Sequence, residues 1–227
     1  MLPKVHIKYV HVYDEAIASL MGKKHTKLAR KGGMLFAKRL KKAVKPMLAS
    51  ILLAMETETT LSWKHRHINC YVAHDIPFDF DDPMTIKVRK NMRDATETFF
   101  HELLHQLEMQ NEGRINLKND IYKKYCGESE DARAHIISHA MLWKVYEKVY
   151  GKKRLKRIIN GYKLWPEHYR AWQIVRKEGP DRILKAYIRP HPPLKAIRHK
   201  IQLKMEQRKM AKQKKLGKKR ALLKLKK

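Results

Sequence analysis

Apolar residues recur along this chain at two spacings, and the changes between them divide it into elements. Over residues 5–13, Val5, Ile7 and Tyr9 alternate with His6 and Lys8 before the phase is lost near Tyr13. A period of two predicts a strand. Residues 14–20 predict a helix with Asp14 as its N-cap. The basic stretch 22–33, broken by Gly32 and Gly33, predicts a loop or a joint between helices. Across 34–55, Leu35, Leu40, Val44, Leu48, Ile51 and Leu52 stand near helical spacing, and Pro46 is expected to kink or split that helix. Two strands follow, 67–72 and 84–90, with an acidic, turn-rich loop at 74–83 between them.

Helical spacing returns over 94–110, and Gly113 stands near the end of that helix. A second strong helix opens at 128–135 and runs to about Tyr150, with Ser129 as N-cap and Glu130 and Asp131 at the positive end of its dipole. Residues 152–159 are basic, yet Leu155, Ile158 and Ile159 keep them packable. Trp165, Tyr169, Trp172, Ile174 and Val175 predict an aromatic-rich helix starting near Pro166, ended by Gly179-Pro180-Asp181; 182–188 form a short helix. Pro190-His191-Pro192-Pro193 makes a stiff boundary. The pattern is α+β: a mostly helical domain with a small sheet over 1–190, then a tail over 191–227. Within 194–227 the only acid is Glu206, and 212–227 cannot bury enough apolar surface to fold alone.

Charge changes this picture more than length does. The 227 residues suit one domain with an appendage. Lys and Arg number 52 against 22 Asp and Glu, a net charge of +30. Such an excess calls for a polyanionic neighbour, DNA or RNA in the first place and an anionic membrane surface in the second. The tail has no aromatic residue to stack on bases, so its contacts would be to phosphate. Two cysteines, Cys70 and Cys126, exclude a disulfide framework and suit a reduced, cytoplasmic setting. There is no signal-peptide core at the N-terminus and no apolar run long enough to span a membrane, so a soluble intracellular protein is expected.

The chemistry is concentrated in His101-Glu102-Leu103-Leu104-His105, an H-E-x-x-H stretch inside the 94–110 helix. Side chains four apart sit one above the other, so His101 and His105 aim two imidazoles at one point. Glu102 stands about 100° round the helix, too far to be an equivalent ligand but within reach of a water near the ion. Imidazole ligands in an open site suit Zn²⁺. A third ligand is expected on the second strong helix. Glu130 heads the Ala134-Ile137-Met141-Val145 stripe, where a buried carboxylate would need a partner; Asp131 and His135 are the alternatives.

Thr98 to Leu107 resembles the extended signature of zincin metallopeptidases: a Thr ahead of the motif, no charge between the histidines, and Leu107 two places after His105. With Glu128-Ser129-Glu130-Asp131-Ala132 on a following helix, the arrangement is similar to the gluzincins, most nearly the small intracellular members of the ImmA/IrrE kind. The resemblance spans about 85–150. It implies a zincin-like fold and a zinc-dependent metallopeptidase with His101, His105 and Glu130 as metal ligands, or Asp131 if the register shifts by one. Glu102 would be the general base and a protein or peptide the substrate. It also implies that the 84–90 strand lines the cleft, with Lys87 and Arg89 or the residues between them bordering substrate. The oxyanion donor is left open among His135, His139, Tyr162 and His168. The other reading is a nucleic-acid-binding or ribonucleoprotein component whose zincin-like domain is inactive.

Overall fold

The computed structural model describes residues 2–115 and 120–190. The tail at 191–227 therefore lies outside the described residues. The domain is mostly helical, with a four-stranded sheet of order β1-β2-β4-β3. Strands β1 (Lys4–Tyr9), β2 (His67–Ala73) and β4 (Met84–Lys87) run parallel, and the two-residue β3 (Phe80–Asp81) turns back antiparallel on β4. Val72 pairs with Tyr9 on one side and Ile86 on the other, so the apolar centre of the sheet is continuous across three strands.

The first strand is shorter than its hydrophobic pattern suggests. It ends at Tyr9, and helix α1 (His11–Leu20) has already begun before the alternation loses phase near Tyr13. Asp14 is therefore not its N-cap. It is fully buried in the first turn, and Oδ1 accepts a hydrogen bond from the His74 amide at 2.7 Å. Gly32 and Gly33 do not break the chain either. Helix α2 (Lys27–Thr59) runs through them, capped by Thr26, whose side chain accepts from the Ala29 amide at 3.1 Å. Gly33 is where α2 meets the sheet: an added Cβ would stand 2.2 Å from the ring of Tyr9. Pro46 is absorbed inside α2, which buries Phe36, Leu40, Val44, Ile51 and Met55 and packs on β1, β2 and two later helices.

Those helices are α3 (Met92–Met109) and α5 (Glu130–Gly161). A short α4 (Asp120–Lys124) precedes α5. Ser129 caps α5 as expected, accepting from the Ala132 amide, but the helix continues past Tyr150 through a bend at Gly151, where φ is 75°. Pro166 opens α6 (Pro166–Glu178) and Pro180 opens α7 (Pro180–Tyr187). Among the described residues no helix is long and apolar enough to cross a membrane.

Candidate metal centre

Helix α3 is held on its axis by burial. Ala95, Phe99, Phe100, Leu103, Leu104 and Leu107 are all fully buried. Each large member of that set contributes roughly 1.5–3 kcal/mol, enough to offset keeping His101 and Glu102 in the interior. The C-terminal end is pinned as well. Asn111 Nδ2 donates to the Leu107 carbonyl at 2.8 Å and to the Ser62 carbonyl at 3.0 Å, and Gln110 Oε1 accepts from the amides of Lys64 and His65. Burial along one face and these bonds at its end oppose fraying and rotation of the helix.

His101 Nε2 and His105 Nε2 lie 3.0 Å apart. Two nitrogens bound tetrahedrally to one zinc would stand about 3.3 Å apart, so this pair is already spaced for a shared ion. His105 is held from behind: its Nδ1 lies 2.5 Å from Glu108 Oε2, and Ser138 Oγ donates to Glu108 Oε1 at 2.7 Å. Burial alone would lower the His105 pKa, but the Glu108 carboxylate outweighs it and raises the value to about 9. With Nδ1 directed to Glu108, Nε2 faces His101, and a metal bound there would displace the Nε2 proton.

Helix α5 brings two more imidazoles one turn apart. His135 Nδ1 donates to the Asp131 carbonyl at 2.8 Å, so the lone pair is on Nε2. His139 is completely buried and stacks on Trp172 at 4.4 Å between ring centres. The first turn of α6 adds His168, whose ring centre is 4.0 Å from that of His135 and whose Nδ1 is 3.4 Å from His139 Nε2. Tyr162, in the turn between α5 and α6, stacks on His168 and lies 6.4 Å from the His101 ring. His101, His135 and His168 can each present one ring nitrogen such that all three lie within 4.8 Å of one another.

Burial is the first cause of the charge state here. It holds His101 and His139 well below the ordinary histidine value and takes His168 down to about 4, helped by neighbouring imidazoles. His135 is lowered too, partly opposed by its bond to the Asp131 carbonyl. These imidazoles are therefore neutral at neutral pH, the form that ligates a metal. Burial also raises Glu102 to about 7, against the opposing pull of His105. The imidazole set fits a borderline-soft dication such as Zn²⁺, and a positive ion at this point would offset the cost of the buried polar atoms, of which His101 Nδ1 and His139 Nδ1 have no hydrogen-bond partner.

The structure brings His101, Glu102 and His105 together with all four residues considered as oxyanion donors. It does not bring Glu130 in. Glu130 is exposed in the first turn of α5, as is Ala134, the next member of its supposed stripe. Ala132 in the same turn is fully buried, so α5 turns Glu130 away from the core, and the carboxylate stays hydrated at the positive helix end. His135 lies about 140° further round α5 and faces the His pair instead. Asp131 lies behind His135: its Oδ1 is 3.1 Å from His135 Nδ1. Lys87 and Arg89 do not offer a bare strand edge. Asp79 Oδ1 accepts from the Lys87 amide at 2.7 Å, and Asp79 pairs with the Arg89 guanidinium, which also donates to Thr98 Oγ1. Sequence reasoning weighed His139 and His168 only as oxyanion donors and did not place them in the imidazole cluster. His135 and His139 repeat the four-residue spacing of His101 and His105, a signal that was there to read; His168 carries no local signal. No family model, no curated protein and no solved structure matches the chain.

Proposed function

We propose that this chain is a zinc-dependent metallopeptidase with Glu102 as its general base. The observation that supports the reading is one cluster: the His101 and His105 nitrogens at 3.0 Å, imidazoles of α5 and α6 beside them, and the buried Glu102 carboxylate one residue along. His101, His135 and His168, whose ring nitrogens lie within 4.8 Å of one another, would hold the ion, with His105 Nε2 beside them at 3.0 Å from His101 Nε2. When bound, zinc supplies Lewis acidity toward a scissile carbonyl and toward water. The rest belongs to the chain. Glu102, with a pKa near neutrality, accepts the proton of an attacking water and returns it to the leaving amine. Glu108 and Ser138 keep the His105 ring from turning, and Asp131 does the same for His135. Tyr162, whose ring stacks on His168 beside the cluster, is the candidate to meet charge developing on the substrate oxygen. Metal analysis of the purified full chain tests the reading. One zinc per chain is expected, lost in His101→Ala, while Glu102→Gln keeps zinc and loses cleavage of an unfolded protein substrate. Absence of zinc from the unmutated protein under non-chelating conditions would end it.

A second reading is favoured by charge. The outer face of α2 exposes Lys38, Arg39, Lys41, Lys42 and Lys45, adding to the excess that gives +30 for the whole chain. In this reading the chain is a DNA- or RNA-binding component with an inactive domain. Equal cleavage, at background level, by the unmutated and Glu102→Gln proteins, together with retained RNA binding, would select it.

A further inference from the structure

We propose that the exposed turn between α5 and α6, with the basic stripe that leads into it, docks on the surface of an anionic phospholipid bilayer. Beyond the bend at Gly151, the end of α5 has two faces. Leu155 and Ile158 are buried in the core. Lys152, Lys153, Lys156, Arg157 and Asn160 are exposed at helical spacing, so they form one outward stripe roughly 12 Å long. Lys163, also exposed, carries the charge past the end of the helix. Residues 148–166 include no Asp or Glu, and Glu147, just ahead of them, meets Lys152 Nζ only at 3.9 Å.

The stripe leads into an apolar turn. Leu164 is 86% exposed and Trp165 60%. Leucine and tryptophan ordinarily bury most of their surface, so two in a row facing water mark an interaction site. The turn is ordered. The Trp165 amide donates to the Tyr162 carbonyl at 2.8 Å, and the Trp165 carbonyl accepts from the Tyr169 amide at 2.9 Å. Pro166 opens α6 directly behind it. The positive charge selects a polyanion, and the apolar pair decides which kind. A single-stranded nucleic acid would pair its phosphates with the lysines and stack a base on Trp165, yet it offers Leu164 nothing apolar to enter. An anionic bilayer meets every part: headgroups pair with Lys and Arg, Trp165 suits the headgroup level, and Leu164 enters the acyl boundary. No described helix is long and apolar enough to cross a membrane, so this contact is with the surface. Tyr162 and His168 stand at the two ends of the turn, and their rings stack on each other beside the imidazole cluster. Docking would therefore set that cluster against the lipid surface.

The test is co-sedimentation of the full chain with vesicles. Vesicles of phosphatidylcholine containing phosphatidylserine should bind it, and vesicles of phosphatidylcholine alone should not. Leu164→Ser combined with Trp165→Ser should weaken binding by about tenfold or more, with an unchanged circular dichroism spectrum, since both side chains are exposed. Lys152→Gln, Lys153→Gln, Lys156→Gln and Arg157→Gln combined should weaken it by about as much and flatten its salt dependence. Brominated lipid should quench tryptophan emission in the unmutated chain and lose that effect in Trp165→Phe. Failure of the unmutated chain to bind phosphatidylserine vesicles would overturn the proposal. So would vesicle binding that Leu164→Ser with Trp165→Ser leaves unchanged, which would place the lipid contact elsewhere on the chain. Binding of a mixed-sequence RNA should be the same in that variant and in the unmutated chain; loss of RNA binding there, without vesicle binding by the unmutated chain, would assign the turn to nucleic acid instead.

Discussion

Replacing Gly33 with Ala should destabilise the protein even though Ala is the better helix former. In the interior of a helix the exchange is normally worth about 1 kcal/mol in favour of Ala. At Gly33 the new Cβ would lie 2.2, 2.6 and 3.0 Å from three ring atoms of Tyr9. The ring cannot swing aside freely. Its hydroxyl lies 3.1 Å from His25 Nε2, and its backbone pairs with Val72 in the parallel ladder. Either α2 lifts from the sheet or the ring leaves its partner. Overpacking of this kind costs about 1–3 kcal/mol, and a lost hydrogen bond adds about 1 kcal/mol. After the helix gain is subtracted, the net loss is about 1–3 kcal/mol, or a Tm lowered by roughly 2–10 °C in a domain of this size. Gly32→Ala is the control. Its nearest neighbour would be His74 at 3.7 Å, an ordinary contact, so it should gain up to about 1 kcal/mol. Urea unfolding of both variants, followed by circular dichroism, decides the matter. Stabilisation by both would refute the close approach of β1 and α2.

Glu130→Ala should leave zinc affinity within about twofold, while His135→Ala should lower it by more than about tenfold, as read by competition with a chelating dye. Metal-free protein should be most stable near neutral pH. The His168 value is held near 4, and His101 and His139 lie well below 6.5, so their contribution is complete above about 6.5 and is lost as pH falls toward 4. His105, raised to about 9, contributes below 6.5 and loses that contribution as pH rises to 9. Thermal melts across pH 4–9 in the presence of a chelator check this, and a Tm that climbs steadily toward pH 4 would contradict it. Removing residues 191–227 should weaken binding to a mixed-sequence RNA and flatten its salt dependence, as read by anisotropy. Equal binding would move the polyanion site elsewhere on the chain, first of all to the exposed residues Lys152, Lys153, Lys156 and Arg157.

The elements were legible where a residue's local role and its packing role agree. Ser129 caps α5 and Pro166 opens α6 because a cap and a first-turn proline act within a few residues. Gly32 and Gly33 misled because they read as a break, yet both lie inside α2, and Gly33 makes room for Tyr9 from elsewhere in the chain. The same holds in the site. His101, Glu102 and His105 announce themselves by spacing on one helix. Glu130 was a reasonable choice by helix face, but α5 turns Ala132, Ile136 and His139 inward and leaves Glu130 and Ala134 exposed, which periodicity alone does not report. His168 reaches the centre from a helix that begins more than sixty residues after His101, and only packing brings the two together.

Strand β1 has a strand partner on one side only among the described residues, and that leaves an edge on which another chain could add. Its six residues offer a row of backbone groups on which another chain could assemble. Lys4 and Lys8, both exposed, place two positive charges along that row, and a second copy of β1 would bring its own against them. Charge repulsion thus serves as a guard against stacking into fibres. Polyanions that neutralise it, or Lys4→Val combined with Lys8→Val, should turn the same strand into a template for self-association, visible as turbidity and thioflavin binding at concentrations where the unmutated chain stays clear.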